Sequence, residues 1–159
     1  HEYVFDFSVW EIWGSLLRGC KLVIPNADSA KDLGLLVELV NENQVSVLNQ
    51  TPSLFYVFAD YILEYNLQDA VTSLRYVVFG GESLNTLKLV RWLGEFASRT
   101  TLVNMYGITE TTVHLTAKVV KQGGATNCIG KVLCDQYIFL FDRNQNLVPF
   151  GCIGEIYVG

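Results

Sequence analysis

The run NMYGITETTVH, residues 104–114, sets side by side the residue types that a nucleotide site needs. Tyr106 offers a stacking face, Gly107 lets backbone approach a ligand, and Thr109 with Glu110 supplies a hydroxyl and a carboxylate suited to phosphate oxygens and a hard cation. Asn104 precedes them within the same run. A second concentration is VVFGGESL, residues 77–84, where Gly80, Gly81 and Glu82 follow an apolar stretch. The third is Asp6, a carboxylate inside the aromatic and apolar run VFDFSVW. A charge there is costly to bury without a partner, although a carboxylate at a helix start is also favourable. Taken one at a time, each feature has a plain structural reading as a turn, a solvated carboxylate or a tight connection.

Positioning these residues requires a scaffold, and the pattern predicts one. Apolar spacing predicts a helix over 8–19 with Ser8 as its cap and Gly19 as its stop, a short strand CKLVIP over 20–25, and a serine-started helix over 29–44. VSVLNQ follows as a strand, TPSLFYVFADYILEYN as a helix with proline in its first turn, and LRYVVFGG as a buried strand. SLNTLKLVRWLGEF is a further amphipathic helix and TTLVNMYG the strand that runs into the opening motif. Alternation of this kind predicts an α/β fold, a mainly parallel sheet with helices on both faces and the site beyond the carboxyl ends of its strands. From about residue 115 the chain turns to HLTAKVV, YIFLFD, a polar RNQN turn, LVPF and GEIYVG. The expected division is a central α/β unit over 1–122 and the start of a β-rich subdomain over 123–159.

Composition narrows the partners. Eleven basic against 16 acidic residues give a net charge of -5, and no lysine or arginine run forms a basic stripe, so nucleic acid is not expected. No apolar run reaches the ~20 residues of a membrane helix, and no leader is recognisable, so a cytoplasmic setting without membrane attachment is expected. The four cysteines, Cys20, Cys128, Cys134 and Cys152, lack any CxxC pair and read as small buried hydrophobes.

FDFSVWEIWG, VVFGGESL, NMYGITETT and IGKV with GEIYVG, in that order, resemble the adenylation domains of nonribosomal peptide synthetases, within the AMP-forming acyl and aminoacyl ligase superfamily. Ile108 stands where that family often has proline. The resemblance implies a reaction in which an amino acid carboxylate attacks the α-phosphate of ATP, giving aminoacyl adenylate and pyrophosphate. A thiol of a carrier protein, borne on phosphopantetheine, then takes the acyl group. It also implies roles: Tyr106 stacking on adenine, Asn104 at the adenine edge, Gly80, Gly81, Glu82 and Gly107 forming the nucleotide loops, Thr109 bonding phosphate, Glu110 holding Mg²⁺, and Asp6 meeting the substrate α-ammonium. His1 receives no role.

The same resemblance places Asp6, Phe7, Trp10, Asn49, Val78, Gly80, Met105, Val113 and His114 around the amino acid, with a tenth position, a lysine, beyond the chain's last residue. That set resembles the threonine-activating pattern. The phosphate loop with its lysine, the ribose-binding aspartate and the lysine of the small C-terminal domain are not found, and the chain reads as an excised central piece, expected to be inactive by itself. Two rivals are a fragment of an acyl-CoA or aryl acid ligase, which needs no carboxylate at position 6, and a noncatalytic binding module with vestigial motifs.

Overall fold

The computed structural model describes every residue except Glu2 and Asp135. Its first helix, α1 (Phe7–Leu16), starts one residue after Asp6 and is closed by Gly19 at φ 66°, with Gly19 N donating to the Leu16 carbonyl and Cys20 N to that of Ser15. Ser8, expected as the cap, lies inside the first turn and donates its hydroxyl to the Tyr3 carbonyl at 2.9 Å. Helix α2 (Leu33–Glu42) is likewise capped by Asp32, whose carboxylate accepts from Leu35 N at 3.0 Å, and not by Ser29. An acidic cap is as good as a serine, and Asp32 is the residue that leaves the helix with extended backbone.

Strand β1 (Val47–Gln50), helix α3 (Pro52–Glu64) with proline at its first position, strand β2 (Tyr76–Phe79) and strand β3 (Thr101–Tyr106) follow the expected order. The helix expected between the last two begins as a 3₁₀ turn, Thr86–Leu89, and becomes α4 only over Val90–Phe96. Beyond β3 come β4 (Thr116–Val119), β5 (Lys131–Val132), β6 (Ile138–Phe141) and β7 (Glu155–Val158).

Three expectations fail. CKLVIP forms no strand: no described strand pairs with it and Ile24 is 78% exposed, so its apolar content lacks the neighbour that a strand requires. LVPF is reduced to a single bridge between Leu147 and Phe141, because Pro149 has no N–H to donate and the chain turns there, Cys152 N bonding the Pro149 carbonyl. All four cysteines are exposed, since Cys20 follows α1 in that unpaired segment, Cys128 and Cys134 flank β5, and Cys152 sits in the turn.

The α/β class holds, with a mixed sheet. Strands run in the order β1-β2-β3-β4-β5, parallel from β1 to β3 and antiparallel thereafter, while β6 and β7 form a separate antiparallel pair. The first sheet therefore continues past Gly123 and Gly124 through β5. Register aligns Leu48, Val77 and Leu102 on one face and Asn49, Val78 and Val103 on the other. The first face, with Phe79, packs against Val37 and Val40 of α2, Phe55, Phe58 and Ile62 of α3, and Trp92 and Phe96 of α4. Trp92 stacks on Phe96 at 4.0 Å between ring centres and takes the edge of Phe55 at 5.0 Å. Each such side chain contributes about 1.5–3 kcal/mol by leaving water. On the second face, Phe7 of α1 lies over Gly80, so a helix reaches that side at the carboxyl ends of the strands, while Val47 and Tyr76 further down remain exposed.

Candidate functional site

Because β1 to β3 are parallel, their carboxyl ends open on one edge, and the loops that follow meet there. The loop from Gly107 to Leu115 is the most constrained. A Cβ on Gly107 would fall 2.1 Å from the Val113 carbonyl oxygen and 2.8 Å from His114 Cα, so only glycine lets the loop fold back on itself. Leu115 N closes the turn on the Tyr106 carbonyl at 2.7 Å. Between these points Thr109–Thr111 forms a 3₁₀ turn, then Thr112 and Val113 take φ of 59° and 74°, a left-handed conformation that branched side chains seldom adopt. Ile108 uses what a proline would lack, since its N–H donates to Thr111 Oγ1 at 3.1 Å.

This loop brings together residues far apart in sequence. Thr109 Oγ1 donates to Asp6 Oδ2 at 2.8 Å. Asp6 occupies the cap position of α1, yet its side chain accepts nothing from the helix and is committed to Thr109 instead. The Phe7 ring fills the space above Gly80, where a Cβ would be 2.1 Å from Cζ. His114, 6% exposed, has its ring 5.3 Å from both Phe7 and Trp10, and neither ring nitrogen has a hydrogen-bond partner among the described residues. Burial lowers its pKa below the usual histidine value, while the Asp6 charge opposes that shift, so the imidazole is held towards its neutral form with one donor and one acceptor free. Val78, Met105 and Val113 are buried, and Asn49 sits opposite Val78 on the same face.

A cavity of about 410 Å³ adjoins this cluster, lined among others by Gly81, Glu82, Asn104, Tyr106, Gly107 and Asn127. Tyr106 is 37% exposed, leaving a ring face available, and Asn104 is tethered by its amide nitrogen to the Cys128 carbonyl at 3.2 Å. Glu82 departs from the expectation in part. Its carboxylate accepts from Ser53 N at 3.1 Å and Ser53 Oγ at 2.8 Å, capping α3 where Thr51 makes no side-chain cap, so it serves the scaffold as well as lining the cavity. Glu110 is exposed on the 3₁₀ turn, and among the described residues no group of three or more acidic, histidine or cysteine side chains surrounds it. A lone carboxylate suits Mg²⁺, which keeps water and substrate phosphates as its other ligands.

Sequence reasoning missed Glu11. Its Oε1 accepts from Asn49 Nδ2 at 3.2 Å and lies 2.7 Å from His1 Nδ1. The signal was present, because Glu11 is four residues after Phe7 and so shares the helix face that packs on Gly80.

Between Asn127 and Ile129 of the cavity wall in sequence, Cys128 has its thiol pKa lowered by a hydrogen bond from Lys118 and by the Gly130 backbone N–H. Thiolate fraction sets alkylation rate among exposed cysteines. Cys128 is therefore expected to react first of the four with iodoacetamide at pH 7, and Lys118→Met to slow it severalfold. Peptide mapping after partial alkylation checks this, and equal labelling of all four would refute it.

The family model for AMP-binding enzyme matches residues 1–159. The dimodular nonribosomal peptide synthase of Bacillus subtilis (strain 168) is 42% identical over 163 residues, an overlap covering 99% of this chain and 7% of that protein. Malpinin synthetase of Mortierella alpina is 43% identical over 163 residues, covering 100% and 2%. The chain thus spans under a tenth of the length of these relatives. Among solved structures, an NRPS protein containing adenylation and PCP domains superposes with a TM-score of 0.81 at 29% identity, covering 99% of this chain and 31% of that one.

Proposed function

The chain belongs to the AMP-binding enzyme family, and on that premise we propose that it is the central part of an adenylation domain of a nonribosomal peptide synthetase. It would form aminoacyl-AMP from ATP and an amino acid for transfer to a carrier-protein thiol. The observation that carries this reading is the hydrogen bond between Asp6 and Thr109, made by the loop whose Gly107 and Ile108 line a cavity together with Tyr106 and Asn104. It sets the carboxylate suited to an amino acid's ammonium beside the hydroxyl suited to a phosphate, which is where an amino acid carboxylate and an α-phosphate must meet.

In this reading the amino acid carboxylate oxygen forms a bond to the α-phosphorus and the bond to pyrophosphate breaks. Asp6 fixes the ammonium, Thr109 bonds a phosphate oxygen, Tyr106 stacks on adenine with Asn104 at its edge, and the glycine backbone of residues 80 and 81 admits the base closely. Mg²⁺, held through Glu110, would neutralise charge on the phosphates. The chain's contribution is alignment and charge placement rather than covalent catalysis. Asp6 disfavours an acyl-CoA or aryl acid ligase, whose substrates carry no α-ammonium. The helices of the described residues include none long and apolar enough to cross a membrane, and a cytoplasmic setting belongs to the same proposal.

The substrate we propose is L-threonine. Phe7, Trp10 and Met105 take up volume, and the free acceptor of Asn49 with the unpartnered His114 ring offers both hydrogen-bonding senses to one hydroxyl. Valine is nearly isosteric but leaves these groups unpaired, a cost of about 1–3 kcal/mol. Pyrophosphate exchange by an adenylation domain carrying this segment is expected to favour threonine over valine by about one to two orders of magnitude in kcat/KM. Exchange assayed with threonine, serine, 2-aminobutyrate and valine decides it, and equal rates for threonine and valine would discard the assignment.

A further inference from the structure

Asn49 is chemically two-sided, since its amide can present either a donor or an acceptor, and a pocket that lets it rotate selects for neither. Something must fix it. On the strand side it has only backbone and the apolar Val78 as neighbours in register. On the α1 side it meets Glu11, whose Oε1 is 3.2 Å from Nδ2. A carboxylate accepts hydrogen bonds and donates none, so the amide must turn its nitrogen to Glu11 and its oxygen away. That oxygen is buried and has no partner among the described residues. Glu11 is itself braced, because His1 Nδ1 lies 2.7 Å from the same carboxylate oxygen.

We infer that Glu11 is a positioning residue that sets the polarity of the substrate pocket: it holds Asn49 as an acceptor and so selects amino acids whose side chain carries a hydrogen-bond donor. This rests on the amino-acid-activating function proposed above and deepens it. The nine pocket positions that the family resemblance implies do not include residue 11, and the effect reaches the substrate only through Asn49. The accompanying role of His114 follows: with Asn49 fixed as acceptor, the ring supplies a donor to the substrate hydroxyl, and the pair reads both its proton and its lone pair.

The test is amino-acid-dependent pyrophosphate exchange by an adenylation domain carrying this segment, with threonine and valine as probes, in wild type, Glu11→Gln, Asn49→Ala and the double variant. Glutamine keeps the shape of Glu11 but can donate as well as accept, which frees the Asn49 amide to turn. The threonine-to-valine ratio of kcat/KM is expected to fall about 10-fold in Glu11→Gln. In the Asn49→Ala background the same change is expected to leave the ratio as it was, because the group that Glu11 orients is gone. A general structural role would lower both specificity constants together and preserve the ratio. A Glu11→Gln ratio within about twofold of wild type, or an equal fall in the double variant, overturns the inference. The wild type separates the two levels of failure: no amino-acid-dependent exchange at all sinks the proposed function, whereas a wild-type preference that survives Glu11→Gln sinks only the role of Glu11.

Discussion

Asp6→Asn is expected to lower kcat/KM for the amino acid by about 100-fold or more while leaving the KM for ATP within a few-fold of wild type. Asparagine preserves the size of the side chain and can still accept from Thr109 Oγ1, so the loop geometry around the 2.8 Å hydrogen bond is retained. What it removes is the charge. An ammonium brought into the site then loses its counter-ion, and unpaired buried charges of this kind cost about 2–5 kcal/mol. Steady-state kinetics with varied amino acid and saturating ATP measure the effect. A loss under about fivefold would mean that the ammonium is met elsewhere and that Asp6 serves only to hold the loop.

Gly107→Ala should be nearly as damaging by a different route. The added methyl would sit 2.1 Å from the Val113 carbonyl oxygen, and that atom is backbone, already locked by Thr112 and Val113 in left-handed conformations and by the Leu115 to Tyr106 hydrogen bond. A flexible side chain could move aside; a doubled-back main chain cannot without shifting Thr109, Glu110 and His114 together. A destabilisation of about 3 kcal/mol is expected, together with loss of both nucleotide and amino acid binding. Urea unfolding and nucleotide binding on the same variant check it. Normal stability with normal binding would show that the loop has an alternative course.

The sheet core and the alternation of strands and helices were legible because apolar periodicity and turn residues speak locally, as in TPSLFYVF and LRYVVFGG. The expectations for the site came from motif order. What was hidden depended on partners distant in sequence. CKLVIP has the composition of a strand and no strand to pair with; Glu82 has a second task, the cap of α3, that only the approach of that helix from across the fold reveals. Glu11 was overlooked as one more helix carboxylate, and only the approach of β1 gives it a task. Asp6 was weighed as a helix cap or a ligand group, and neither reading foresaw the Thr109 hydroxyl on its carboxylate.

The contact between Asp6 and Thr109 spans 103 residues of chain. Closing a loop of that size from a disordered chain has a conformational cost of about (3/2)RT ln n, roughly 4 kcal/mol, more than one hydrogen bond returns. That bond therefore cannot hold α1 in place by itself and depends on the sheet to bring β3 and its hairpin to where α1 docks. The docking of one short helix is what turns the scaffold into a complete site. Any condition that loosens α1 while sparing the core would silence the site in a protein that still looks folded by its overall secondary structure.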